Sequence, residues 1–239
     1  MTLTRRDLEE LADELDAMFD PEAAALYRPR YNLAPTDLSF VLRLRASLSP
    51  PESEGEPPAG ERWLVPARWG MRGTGRQTAP LFNARSESAR FAPAFRDAYA
   101  RGRCVVPADG FYEWRTVGEG APAGARGRGA RQPLWFHRPD AGLLLFAGLC
   151  DGETFTVLTT TPNRLVAEVH DRMPVVLSPE EARAWLAAPA PQLLRPAPEG
   201  LLVATPVSSR VNAVRNDDPG CLGPPDAAPP RGPTQLTLV

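Results

Sequence analysis

Apolar residues recur at helical spacing early in the chain: Leu8, Leu11, Leu15, Met18 and Phe19 share a face when residues 4–19 are wound as a helix with Thr4 as N-cap. The period then shortens. Residues 38–44 are a run of β-formers and predict a strand, while residues 47–60, rich in Pro, Glu and Gly, read as an exposed loop. Residues 91–100, closed by Gly102, predict a second helix that leads into short strands at 104–107 and 110–114. The Gly/Ala/Arg segment 118–131 reads as a flexible hairpin loop. Beyond it, runs at 134–137, 143–149 and 155–160 predict sequential antiparallel strands.

Two later helices carry start signals. Thr161 and Pro162 open a short one ending near Val169, and Ser178-Pro179-Glu180-Glu181 supplies an N-cap, proline at the first helical position and glutamate at the third before a helix to Leu186. The expected fold is α+β: a single β-rich domain over residues 1–221, built on an antiparallel sheet or partly closed barrel with peripheral helices. Residues 222–239 read as a Pro/Gly-rich tail, with fraying expected from about Asp217 and an apolar end at 236–239.

Composition excludes several classes. Of 239 residues, 43% are hydrophobic and 23% charged, which fits a soluble globular chain, and no apolar run approaches the roughly 20 residues a membrane span needs. Arg5 and Arg6 precede Asp7, Glu9 and Glu10 instead of an apolar stretch, so no signal peptide is indicated and a cytoplasmic location is expected. Cys104, Cys150 and Cys221 are odd in number and widely spaced, and His137 and His170 are the only imidazoles; neither a disulfide framework nor a metal or other cofactor is expected. A net charge of −2 does not mark a nucleic-acid binder. Every basic side chain is Arg, which removes lysine Schiff-base chemistry and leaves guanidinium as the phosphate-binding cation.

Four polar residues sit in apolar or turn-rich surroundings: Asn83, Glu113, His170 and Asn216. Burying such groups unpaired costs a few kcal/mol, so a shared site is expected to hold them. Glu113, between Tyr112 and Trp114, suits proton transfer if desolvation raises its pKa. His170, followed by Asp171, suits a general acid/base oriented by a carboxylate. Asn83 and Arg85 alternate along an extended segment and project to one face, an amide beside a guanidinium. Trp69, Trp114 and Trp135 offer faces for core packing or for base stacking.

Taken in order, Arg30-Tyr31-Asn32-Leu33-Ala34-Pro35, Trp69-Gly70, Asn83-Ala84-Arg85-Ser86-Glu87, the run from Arg103 through Asp109-Gly110-Phe111-Tyr112-Glu113-Trp114, and His170-Asp171-Arg172-Met173-Pro174 resemble the motif set of the SRAP (SOS response-associated peptidase-like) family. The resemblance implies a self-processing thiol peptidase that captures abasic sites in single-stranded DNA. In that family an N-terminal cysteine, exposed by removal of the initiator methionine, forms a thiazolidine crosslink with the abasic sugar. It further implies catalytic roles for Asn83, Glu113 and His170, phosphate contacts from Arg85 and Arg172, and a groove lined by Asn32, Pro35 and Trp69. The expected partner is single-stranded DNA with abasic sites, bound by a monomer that joins the nucleoid.

Two departures stand out. The family begins Met-Cys-Gly-Arg, whereas this sequence begins Met1-Thr2, so a start about four codons upstream is expected. The stretch after Trp69-Gly70 carries Gly75 and Arg76 where relatives often have aromatics, so DNA affinity is expected to be weaker unless Arg72 and Arg76 compensate through phosphates. Two other readings remain open. One is a non-covalent single-stranded-DNA binding module without the nucleophile; the other is a protease using Cys104 with His170 as base.

Overall fold

The first helix begins later than its apolar period suggests. In the computed structural model, which describes residues 1–44, 61–73, 79–117 and 130–226, α1 spans Leu8–Leu15 and its N-cap is Asp7, whose carboxylate accepts from the Glu10 N–H. Thr4 is not the cap: its N–H is donated to Asp109 Oδ2 at 2.6 Å. Asp16, in the left-handed region at φ 48°, ends the helix, so Met18–Phe19 leave it as strand β1.

After α2 (Pro21–Ala24), the strands are β2 (Leu38–Leu44), β3 (Arg62–Trp69) and β4 (Asn83–Arg85). Helices α3 (Ser86–Ala89) and α4 (Arg96–Arg101) precede β5 (Arg103–Ala108), β6 (Gly110–Val117), β7 (Ala130–His137), β8 (Leu144–Cys150) and β9 (Thr154–Thr160). The chain continues through α5 (Arg164–Ala167), β10 (Met173–Pro174), β11 (Val176–Leu177), α6 (Pro179–Ala187) and β12 (Val203–Pro206).

The larger sheet runs β1-β3-β2-β5-β8-β9-β10, and β9 also pairs with β3, closing part of the path into a ring. Sheet and peripheral helices make the α+β, partly closed arrangement expected from the sequence. Two expectations need correction. Of the three runs expected to pair in sequence, β8 and β9 do pair antiparallel, but β7 does not pair with β8, and the larger sheet also holds the parallel pairs β1–β3 and β4–β9. Strands β6 and β7 instead form a separate three-stranded sheet with β12.

Burial on both faces explains why β2, β5 and β8 read as largely apolar runs, with Ser39, Arg43 and Arg103 buried among them. Phe40, Leu42 and Val105 pack under α1, α4 and α6 with Leu11, Tyr99 and Trp185. Their neighbours Val41, Cys104 and Val106 face the other way, onto Phe111 and Phe136 of the smaller sheet. Both faces are buried, so no polar alternation survives.

Capping signals succeed at α6, where Ser178 and Glu181 form the full reciprocal box. At α5 the cap is Asn163 rather than Thr161 or Pro162. The expected helix over 91–100 is shortened to α4, with turns preceding it, and Gly102 donates its N–H to Ala98 O as C-cap. Arg103 then joins two helix ends: its guanidinium donates to Tyr99 O and Ala100 O of α4 and to Trp185 O, Leu186 O and Ala187 O at the end of α6.

Fraying from Asp217 is also corrected. Asp217 accepts from the Tyr31 and Asn32 N–H groups and from Arg30, and Cys221 is buried in a short 3₁₀ turn over Pro219–Leu222. The expected loop at 47–60, Gly75 and Arg76, the apolar end at 236–239 and nearly all of segment 118–131 lie outside the described residues; Arg131 falls in β7. No described helix is long and apolar enough to cross a membrane.

Candidate active site

The beginning of the chain forms one wall of the site. The Thr2 N–H is donated to Gly110 O at 3.0 Å, Leu3 and Arg30 exchange backbone bonds, and the Leu33 N–H is donated to Met1 O at 2.9 Å. Gly110 is required there: a Cβ would stand 2.3 Å from Trp135 Nε1 and 2.5 Å from Phe136 O. Asp109, buried beside it, fixes the strand by accepting from Thr4 N–H and Arg5 Nη1. The Met1 α-amine donates to Leu33 O, and desolvation, with the Arg30 charge adding to it, pushes its pKa down to about 5.

Met1 lines a cavity of about 520 Å³ together with Asn32, Pro35, Trp69, Asn83, Arg85, Glu113, His170 and Arg172. Residues more than 130 positions apart in sequence thus meet in one space. Strand β4 delivers Asn83 and Arg85 outward on either side of buried Ala84, as the alternation implies. Among the described residues none bonds the Arg85 guanidinium.

Glu113 reaches the cavity from β6, half-buried. Desolvation raises its pKa, Asp171 adds to the rise, and His170 and the terminal amine oppose it. A carboxyl so placed exchanges protons closer to neutrality than an ordinary glutamate does.

His170 follows α5 and is held by backbone. Its N–H is donated to Val166 O, and its Nδ1 lies 3.0 Å from both the N–H and the C=O of Arg172. Neutral Nδ1 accepts that N–H, whereas protonated Nδ1 donates to that carbonyl, so the ring keeps its place in either charge state. Asp171, 3.4 Å from Nδ1 and almost fully exposed, is not the main orienting group that the sequence suggested.

Other expected residues meet the cavity with most of their polar atoms already engaged, the buried Arg172 Nε excepted. Arg172 forms a bidentate pair with Glu87 and donates to Thr159 O. The Asn32 amide donates to Val211 O, Ala213 O and Asn216 O and so holds the opposite lip. Trp69 stacks on Phe155 with ring centroids 6.4 Å apart and donates to Phe82 O. Gly70, at φ 131°, then turns the chain where a side chain would be strained.

Asn216 does not join the site: its amide donates to Arg210 O. Trp114 lines the cavity and donates to Asn212 Oδ1, while Trp135 stacks on His137 and donates to Thr2 Oγ1. Glu87, Thr159 and Val214 escaped the sequence reading. Glu87 stood inside a quoted motif, but no spacing rule ties it to Arg172. Cys104 is fully buried in β5 with its thiol pKa raised by desolvation, so the protease reading loses its nucleophile. Among the described residues no three His, Cys, Asp or Glu side chains gather into a metal-binding group.

Comparison with known proteins agrees with this architecture. The family model for SOS response associated peptidase (SRAP) matches residues 1–214. Abasic site processing protein YoqW of Bacillus subtilis is 29% identical over 81% of this chain and 85% of its own. Abasic site processing protein HMCES of Gallus gallus is 30% identical over 86% of this chain and 69% of its own. A solved structure from Bordetella bronchiseptica superposes with a TM-score of 0.62 at 27% identity, covering 87% of this chain and 98% of the other. With the family match spanning nearly the whole described fold, the chain belongs to the SRAP family.

Proposed function

We propose that this protein processes abasic sites in single-stranded DNA by covalent capture, as part of a DNA-damage response in the cytoplasm. The observation that carries the reading is the convergence of an amide, an acid and an imidazole on the cavity wall formed by Met1, with Arg85 at the same cavity. The names of the relatives, abasic site processing proteins, support the substrate class.

The chemistry requires a terminal amine with a thiol two carbons away. The amine adds to the aldehyde of the ring-opened sugar and loses water to give an imine; the thiol then adds across the C=N bond and closes a five-membered ring. We assign this group to an N-terminal cysteine, which a Cys-Gly-Arg extension of the chain would attach at the cavity wall formed by Met1. Within the site, His170 assists opening of the sugar, Glu113 moves protons at the amine, and Asn83 positions the sugar or the terminal residue. Arg85 binds a flanking phosphate, Arg172 contacts the strand while keeping its pair with Glu87, and Pro35 and Trp69 line the groove. The same residues serve self-release of an initiator methionine.

A non-covalent single-stranded-DNA module is the second reading, favoured by one observation: all three cysteines are buried and none lines the cavity. An abasic single-stranded oligonucleotide separates the two. Incubation with the Cys-Gly-Arg-extended chain should give a band that survives heat and SDS. Only salt-sensitive binding by that version would overturn covalent capture.

A further inference from the structure

Beyond the cavity, one surface feature fits the same ligand. Phe91 is 65% exposed, more than any other large apolar side chain among the described residues, and the Arg90 guanidinium lies 4.2 Å from its ring centroid. Single exposed apolar residues are ordinary on protein surfaces. The position of this one is not. Arg85 lines the cavity and is the N-cap of α3, Glu87 in the first turn holds Arg172, and Arg90 is the C-cap.

The backbone continues as a turn past Arg90, with the Phe91 and Ala92 N–H groups both donated to Ser88 O. Arg90 and Phe91 therefore stand three and four residues after Glu87, where side chains on a helical turn are neighbours. At about 1.5 Å rise per residue, Phe91 lies about 9 Å along the axis from Arg85. Stacked nucleotides advance about 3.4 Å each, so a strand held at the cavity reaches the ring within a few nucleotides.

We propose that Phe91 and Arg90 form a stacking platform for an unpaired base flanking the abasic site, an inference that rests on the function proposed above. The phenyl face takes the base, and the guanidinium stacks against the ring while offering its edge to a phosphate. Local charge favours this path: the Glu87 carboxylate of the same turn is paired with Arg172, whereas no described carboxylate pairs with Arg85 or Arg90.

The test measures binding of the chain to single-stranded DNA containing a tetrahydrofuran abasic analogue, so no covalent step contributes. Oligonucleotides carry 2-aminopurine at successive flanking positions. Phe91→Ala should weaken binding by about 5- to 100-fold and restore 2-aminopurine fluorescence at one position, and Phe91→Trp should retain both affinity and quenching. Trimming the DNA on that flank should abolish the difference between wild type and Phe91→Ala. Wild-type binding matched by Phe91→Ala on every oligonucleotide overturns the platform and leaves abasic-site processing standing. Failure of the wild type to bind single-stranded DNA overturns both.

Discussion

Arg172 and Glu87 form a bidentate ion pair, Nη1 to Oε1 at 2.7 Å and Nη2 to Oε2 at 2.8 Å, two residues away from the imidazole of His170. Because the Arg172 backbone also holds His170 Nδ1, the pair clamps the imidazole through the chain that carries both. Arg172 hydrogen bonds hold the Glu87 carboxyl down at about 2. A depressed acid stabilises the fold above its ordinary pKa and loses that contribution as pH falls through the folded value, so the clamp persists through every ordinary assay pH.

Glu87→Gln tests the clamp. Glu87 is half-exposed, so loss of the pair should cost only about 1 kcal/mol or less of stability. The rate of abasic-site capture at saturating DNA should nevertheless fall about tenfold, because the imidazole loses its fixed position. A variant with altered DNA affinity and an unchanged saturated rate would show that Glu87 only competes for phosphate.

Glu113 carries a predicted conflict between stability and activity. Its raised pKa means that the fold favours the protonated form, so this stabilising contribution is complete below the ordinary carboxyl pKa and is lost as pH rises through the elevated folded value. Glu113→Gln removes the charge and keeps the shape. Its melting temperature should exceed wild type at pH 8 and approach it at pH 4, while capture slows. Equal or lower melting temperature for the variant at pH 8 would contradict a desolvated carboxylate.

Much of this site was legible because its chemistry sits on short, strongly patterned segments. Asn83 and Arg85 follow simple strand alternation, and Glu113 and His170 each stand out against apolar neighbours. What stayed hidden depends on long-range partners. Thr4 looked like a cap, but Asp109 claims its N–H from across the fold, leaving Asp7 to start α1. Asp217 looked like the start of a loose tail because proline and glycine follow it. Three donors from residues 30–32 hold it instead, and no local pattern encodes them. Asn216 looked like a fourth site residue because local composition does not reveal which carbonyl an amide will meet.

Asn32 supplies the third prediction. Its amide nitrogen donates to carbonyls at 211, 213 and 216, and it is 7% exposed. Asn32→Ala leaves those carbonyls without their donor and should cost about 2 kcal/mol. Asn32→Asp should cost more, since an acceptor then faces acceptors. Hydrogen exchange should quicken over residues 211–217 while β5 and β8 remain protected; unchanged exchange there would mean the lip holds itself.

Asp109 should prove as important to the site as residues that line it, although it does not. It is 7% exposed, and its two oxygens accept from the Thr4 N–H and Arg5 Nη1, each at 2.6 Å. Asp109→Ala orphans the part-buried Thr4 N–H and removes one of the three hydrogen bonds that the Arg5 guanidinium makes, which should cost about 2 kcal/mol in denaturant titrations. Arg5 also holds Glu14, so part of that charge stays compensated and the fold should survive. The loss should concentrate where Thr2 and Asp109 share a backbone bond, freeing the Met1 wall of the cavity. Capture should therefore fall by more than global unfolding explains, measured at a temperature where the variant remains folded. Asp109→Asn keeps one acceptor for Thr4 and should recover most of the capture but less of the stability. If Asp109→Ala and Asp109→Asn lost stability and capture in the same proportion, Asp109 would be a structural pin with no particular claim on the site.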